Sequence, residues 1–146
     1  MKIRISKEFS FEMAHALDGY DGLCRNVHGH SYQLTVTLSG EPVSDISSPK
    51  FGMVMDFGDL KKIVQQAIVN RFDHAFVVRQ GTIGHFDNNE LFSRLVEVDF
   101  QPTSENLLIY FASLIRPALP AGVALYSLRL RETGTSYAEW FASDNS

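Results

Sequence analysis

Apolar and polar residues alternate from residue 3 to residue 13. Ile3, Ile5, Phe9, Phe11 and Met13 share one parity, and Arg4, Ser6, Glu8, Ser10 and Glu12 share the other. Successive side chains of an extended chain point to opposite faces, so this pattern predicts a strand buried on one side. His15 continues the apolar parity. A turn rich in Gly and Asp follows over 18–22, and a second strand is expected from about Val27 to Gly40. There His28, His30, Tyr32, Leu34, Val36 and Leu38 share a face opposite Ser31, Gln33, Thr35, Thr37 and Ser39. Antiparallel pairing of the two strands would carry His15 towards His28 and His30.

The period then changes. After a turn region over 41–52, Asp56 can cap a helix, with Asp59 three residues on as a capping-box acid. Leu60, Ile63, Val64, Ala67 and Ile68 repeat at helical spacing, leaving Lys61, Lys62, Gln65 and Gln66 outside the stripe. A second helix is expected after Pro102-Thr103, through Leu107, Leu108, Phe111, Leu114 and Ile115 to Pro117. Between them, Gly81, Gly84 and Asp87-Asn88-Asn89 read as loop, and 95–100 as an extended stretch. Period two returns at the end of the chain. Tyr126, Leu128 and Leu130 are expected on the core face and Ser127, Arg129 and Arg131 on the other, so Glu132 lands on the apolar side. Thr133-Gly134-Thr135-Ser136 turns the chain into a last strand, Tyr137–Phe141. The order strand, strand, helix, helix, strand, strand predicts an α+β fold with the helices on one face of a sheet.

The composition narrows the class. At 146 residues, 45% hydrophobic and 21% charged, the chain can bury one sizeable core, so residues 1–146 read as a single domain. A net charge of −4 argues against a nucleic-acid surface. One cysteine cannot form an internal disulfide, the first residues lack an apolar signal run, and no apolar stretch reaches membrane-spanning length. A reducing, cytoplasmic setting is expected, with no membrane partner.

Three histidines and the single cysteine fall within sixteen residues: His15, Cys24, His28 and His30. Two imidazoles heading an apolar row are costly to bury unless something ligates or bonds them. A lone histidine would read as an ordinary polar residue; the cluster points to a metal. Zinc suits three neutral imidazoles because they leave a fourth tetrahedral position for water or substrate. Cys24, four residues before His28, fits either that fourth position or a separate role as base.

Asp73-His74 follows the first helix. The carboxylate can orient the imidazole and raise its basicity, while a histidine at a helix end is also favoured by the macrodipole. His85 has no comparable partner and stays outside the site. Glu105 suits the first turn of a helix and Thr103 its cap. Glu132, facing the apolar side, needs a partner; a planar, amidine-like edge donating two hydrogen bonds would satisfy it, as would an exit to solvent at a frayed strand end. Tyr137, Trp140 and Phe141 read as packing or subunit contacts.

Six segments, in order across nearly the whole chain, resemble the 6-pyruvoyl-tetrahydropterin synthase and 6-carboxytetrahydropterin synthase family. They are Phe9-Ser10-Phe11-Glu12-Met13-Ala14-His15, Cys24-Arg25-Asn26-Val27-His28-Gly29-His30, Gly52-Met53-Val54-Met55-Asp56-Phe57, Phe72-Asp73-His74, Pro102-Thr103-Ser104-Glu105-Asn106 and Arg131-Glu132-Thr133. The resemblance implies a tunnelling fold, in which four-stranded antiparallel sheets of several subunits join into a barrel. A homohexamer of two trimers, with active sites at subunit interfaces, goes with it. It further implies that His15, His28 and His30 hold zinc, that Cys24 is the proton acceptor, and that Asp73 with His74 forms a proton relay. Glu132 would anchor the pterin edge, assisted by Thr103 and Glu105.

The implied substrate is 7,8-dihydroneopterin triphosphate. One branch of the family cleaves a carbon-carbon bond to give acetaldehyde and 6-carboxy-5,6,7,8-tetrahydropterin for queuosine synthesis; the other retains the side chain as a pyruvoyl group. The short Cys-x3-His-Gly-His spacing is similar to the bacterial carboxy-forming branch. The chain departs from the family pattern at Ala75-Phe76-Val77-Val78, where Leu-Asn is common, and in the longer connection over 79–101. A catalytically silent pterin-binding protein and a zinc-assisted hydrolase of another heterocycle are the rival readings.

Overall fold

The structure is a computed structural model that describes residues 1–82 and 89–146. Strand β1 (Ile3–His15) pairs antiparallel with β2 (His28–Gly40) along its whole length. The helical rod begins with α1 (Phe57–Val64), widens into a π segment over Gln65–Val69 and closes with the single turn α2 (Asn70–Phe72). Two short strands follow, β3 (Ala75–Arg79) and β4 (Leu95–Val98). Helix α3 (Ser104–Ile115) then leads to β5 (Val123–Arg131) and β6 (Tyr137–Phe141). His85, Gly84 and Asp87-Asn88 lie outside the described residues; Asn89 caps a 3-10 turn over Glu90–Phe92.

The expected caps are in place. Asp56 accepts a hydrogen bond from the Gly58 amide and starts α1. Asp59, expected to complete a capping box, instead lies 3.5 Å from Lys50 Nζ. Thr103 Oγ1 accepts from the Asn106 amide at 3.3 Å and starts α3. Leu60, Val64 and Ile68 of the first rod, with Leu107, Leu108, Phe111 and Ile115 of α3, are fully or almost fully buried against the inner faces of β1, β2, β5 and β6. That inner face carries Phe9, Phe11, Met13, Leu34, Val36, Leu38, Leu128 and Leu130, the positions of the period-two rows.

Three expectations need correction. The sheet has six strands in the order β4-β3-β1-β2-β5-β6, not four, and is mixed rather than antiparallel. β1–β3 and β3–β4 pair in parallel. Ala75, Phe76, Val77 and Val78 are all buried, so β3 is apolar on both faces and carries no period to read. Phe76, Val78 and Ala16 build a second, smaller core, against which Ala14, Phe92 and Leu95 pack. Finally, a bulge between Thr37 and Leu38 shifts the β2–β5 register, so that Leu38 opposes Leu125 while Thr37 opposes Ser127. Leu125 thereby occupies the core, and Tyr126 turns to the outer face, where the Arg4 guanidinium lies 3.8 Å from its ring centroid. Trp140 packs in the core, whereas Tyr137 is half-exposed beneath Arg129 and Arg131.

Phe111 is wholly buried and meets the rings of Phe11 and Phe72 edge-on, joining both helical layers to the sheet. Phe111→Ala is expected to lower unfolding free energy by about 3–5 kcal/mol, read from urea denaturation of the metal-free protein. A loss below about 1 kcal/mol would contradict this packing.

Candidate metal centre and active site

The β1–β2 register sets His15 directly opposite His28, and Met13 opposite His30. Opposed residues of an antiparallel pair share a face, so all three imidazoles project to the inner side at one end of the sheet. Their ring centroids lie 4.5 Å (His15–His28), 5.0 Å (His28–His30) and 5.3 Å (His15–His30) apart. Beneath them Tyr32, stacked on Phe11, presents its ring edge-on to both His15 and His30. Glu132, just beyond the end of β5, brings Oε1 to 2.9 Å from His30 Nε2 and 3.9 Å from His15 Nε2. One donor atom from each of His15, His28, His30 and Glu132 lies within 4.8 Å of the others.

The hydrogen bonds of the rings decide what this cluster can hold. A backbone carbonyl accepts only, so His15 Nδ1 donates to Pro102 O at 2.7 Å and His28 Nδ1 donates to Asn26 O at 2.7 Å. In the neutral rings both Nε2 atoms are then unprotonated. These two lone-pair nitrogens face each other at 3.0 Å. His30 Nε2 is buried without hydrogen-bond geometry to any partner, despite its closeness to Glu132. Two nitrogen lone pairs fixed by carbonyls, a third imidazole nitrogen without a hydrogen bond and a carboxylate converge in a group that could hold a cation, and the carbonyl-fixed tautomers are those of metal-binding histidines. Tetrahedral zinc with nitrogen ligands would space them by roughly 3.3 Å, close to the 3.0 Å between the Nε2 atoms of His15 and His28. Burial holds His15 below the ordinary imidazole value, and His28 adds to the effect, so the ring stays in its neutral, ligating form.

The other Glu132 oxygen, Oε2, accepts from the Ser104 hydroxyl at 2.5 Å, at the first turn of α3. The parity of residues 126–132 placed Glu132 on the core face but gave no sign that it would join the imidazoles. Ser104 was not anticipated; its only mark in the sequence is its place after the cap Thr103. Thr103 is the cap, and Glu105 is an exposed acid in the first turn.

Cys24 is exposed in a 3-10 turn over Leu23–Arg25 and stands outside the donor group among the described residues. Its carbonyl accepts from the Leu17 amide at 3.2 Å, tying the turn to the end of β1. Asp73 and His74 do face each other, with Oδ1 to Nδ1 at 3.0 Å. They manage this because His74 adopts φ +60°, a left-handed conformation uncommon for a side-chain-bearing residue. The turn is docked on β1: the Glu12 amide donates to Asp73 Oδ1 at 3.0 Å, and the His74 amide donates to the Glu12 carbonyl. His74 and His30 border the same open depression of about 350 Å³, together with Glu12, Gly29 and Ser31.

This α+β fold, with three histidines and a carboxylate that could hold a cation at one end of its sheet, is that of a pterin synthase. The sequence matches the family model for 6-pyruvoyl tetrahydropterin synthase over residues 4–143, and the chain belongs to that family. A 6-carboxy-5,6,7,8-tetrahydropterin synthase of Haemophilus influenzae is 40% identical over 142 residues, covering 94% of this chain and 97% of that protein. The human 6-pyruvoyl tetrahydrobiopterin synthase is 30% identical, covering 89% of this chain and 85% of its own length. Among solved structures, the 6-pyruvoyl tetrahydropterin synthase of Caenorhabditis elegans superposes with a TM-score of 0.68 at 26% identity, covering 97% of this chain and 96% of that one. No helix among the described residues is long and apolar enough to cross a membrane.

The Glu12 amide is the main reason that Asp73 is held below the usual carboxylate range, with His74 and Arg94 contributing. A depressed carboxylate adds stability above its unfolded value, near pH 3.9, and the gain is lost as pH falls through the lower folded value. Asp73→Asn is therefore expected to melt at a lower temperature than the parent at pH 7, with the gap closing towards pH 3. Equal melting temperatures at pH 7, by calorimetry on metal-free protein, would contradict the docking.

Proposed function

We propose that the chain converts 7,8-dihydroneopterin triphosphate and water to 6-carboxy-5,6,7,8-tetrahydropterin, acetaldehyde and triphosphate, towards a queuosine precursor. Zinc, held by His15, His28 and His30, is the cofactor of this reading. The observation that carries it is the convergence of the three imidazole Nε2 atoms beside a carboxylate, two of them freed of their proton by carbonyls that bind Nδ1. The name borne by the matched bacterial relatives supports the carboxylate as the product. When bound, the metal supplies Lewis acidity to the side-chain oxygens of the substrate, favouring their deprotonated forms.

The chain's own groups do the rest. With His30 committed to the metal, Glu132 Oε1 is free to accept from the amidine-like edge of the pterin, while Ser104 fixes Oε2. Thr103 and Glu105, at the start of α3, assist that edge. Cys24, as thiolate, accepts a proton from the substrate side chain. Asp73 holds His74 Nδ1 so that the opposite nitrogen gives or takes a proton as the triphosphate leaves. All nine carbons are conserved: seven remain with the carboxypterin and two depart as acetaldehyde. The working form is a cytoplasmic homohexamer of two trimers with its sites at subunit interfaces.

The 6-pyruvoyl outcome, in which the nine-carbon skeleton stays whole and no water is consumed, is the one that the names of the Pongo abelii and human relatives favour, at 31% and 30% identity against 40% for the Haemophilus influenzae protein. A silent pterin-binding protein would have no reason to keep Cys24, Asp73, His74 and Glu132 together. A hydrolase of another heterocycle would have none to keep the Asp73–His74 pair.

Incubation of the zinc-loaded protein with dihydroneopterin triphosphate should release acetaldehyde in equal amount to 6-carboxytetrahydropterin, by mass spectrometry. A nine-carbon pyruvoyl product, or none, rejects this reading. Cys24→Ala should keep zinc and lose turnover by about 10²-fold or more, whereas His28→Ala should lose both. Zinc loss in the cysteine variant, by elemental analysis, would make Cys24 a ligand instead. Glu132→Gln should weaken pterin binding in calorimetry and leave folding intact; unchanged pterin affinity removes its anchoring role.

A further inference from the structure

The turn that presents Asp73 and His74 follows directly on a helix end, where backbone carbonyls lack intrahelical partners. Arg94 meets them from the far side of the 79–101 connection. Its Nε donates to Asp73 O at 3.1 Å, and its Nη2 to Asn70 O at 2.9 Å and Arg71 O at 3.4 Å. Its own carbonyl accepts from the Phe76 amide at 3.1 Å, which fixes β4 to β3 immediately after His74. One residue thus grips the chain on both sides of the His74 position. Arg94, Asp73, His74, Asn70 and Gln65 together border an open polar depression of about 410 Å³.

A clamp is needed there. His74 holds φ +60°, a conformation that persists in a side-chain-bearing residue only when its surroundings impose it. One restraint comes from β1, through the Glu12 amide and carbonyl. The Glu12 contacts fix where the turn touches the sheet; they leave the carbonyl of Asp73, the bond leading into His74, without a partner of its own. The guanidinium supplies that partner. Its planar fork reaches Asp73 O and Asn70 O at once, a geometry that a lysine ammonium cannot copy.

We propose that Arg94, delivered by the 79–101 connection, is a positioning residue that holds Asp73 and His74 in their working orientation by clamping the carbonyls of Asn70, Arg71 and Asp73. Its catalytic consequence rests on the proton-relay reading of that pair, whereas the clamp itself does not. Arg94 thereby forms one wall of the depression that Asp73 and His74 border.

Two measurements on full-length, zinc-loaded protein test this. Hydrogen exchange by NMR should show the His74 and Glu12 amides of Arg94→Ala exchanging about tenfold faster or more, with amides of the His28–Tyr32 stretch unchanged. Turnover of dihydroneopterin triphosphate should fall by about 10- to 100-fold in kcat, with KM within about twofold and zinc content unaltered. Arg94→Lys should fall between the two proteins, and added guanidinium ion should restore part of the Arg94→Ala rate. If Arg94→Ala does not fold, Arg94→Lys is read by the same criteria. Unchanged exchange at His74 and Glu12 overturns the clamp, whatever the activity. Faster exchange with parental kcat overturns its role in the reaction. A parent protein without pterin turnover refutes the proposed function, and the exchange result still decides the clamp.

Discussion

The register between β1 and β2 is the constraint on which the site depends. His15 opposes His28 because every pair from Ile3–Gly40 inward keeps the same offset, and the buried rows of Phe9, Phe11, Tyr32, Leu34, Val36 and Leu38 hold that offset. A slip of one residue would turn the apolar row of one strand outward and send its histidines to the opposite face. The candidate metal donors His15, His28 and His30 are therefore placed by core packing spread over thirteen-residue strands, not by a local loop.

The second layer of control is the backbone around the rings. Pro102 O and Asn26 O each take the Nδ1 proton of a histidine, and both carbonyls belong to segments that would serve other purposes without them. Pro102 precedes the cap of α3, and Asn26 closes the turn that carries Cys24. Entry to the helix, the cysteine turn and the tautomers of His15 and His28 are thus coupled through two hydrogen bonds. Glu132 enters by a third route, since the pairing of Gln33 with Arg131 leaves it just past β5 at the level of the histidines. Ser104 then holds its far oxygen from the first turn of α3.

Much of this was legible in the chain. Period two alone put His15, His28, His30 and Glu132 on the buried side, and the caps at Asp56 and Thr103 follow from residue type and spacing. What escaped has physical reasons. Ala75–Val78 is apolar throughout, so its strand character arises from covering on both faces and from parallel partners far away in sequence. Tyr126 falls outward because of a bulge, which inserts one residue and inverts the parity beyond it. The φ of His74 and the reach of Arg94 depend on tertiary contacts that no local pattern encodes.

The groups divide by how they are held. The groups proposed to hold a metal stand on or beside long paired strands, where the sheet itself fixes them, while the groups proposed to move protons stand on turns. Each turn is tied back to the sheet through the main chain: Cys24 through the Leu17 amide, Asp73 and His74 through both backbone groups of Glu12. Asp18, at the start of the loop that leads to the cysteine turn, is further held by Gln101 Nε2 at its carbonyl and by Arg79 at its carboxylate. Main-chain amides and carbonyls do not titrate in the working range of pH. Proton transfer can then change the charge of Cys24 or His74 without loosening the bonds that aim them, which is what a group that must cycle between protonation states at a fixed position requires.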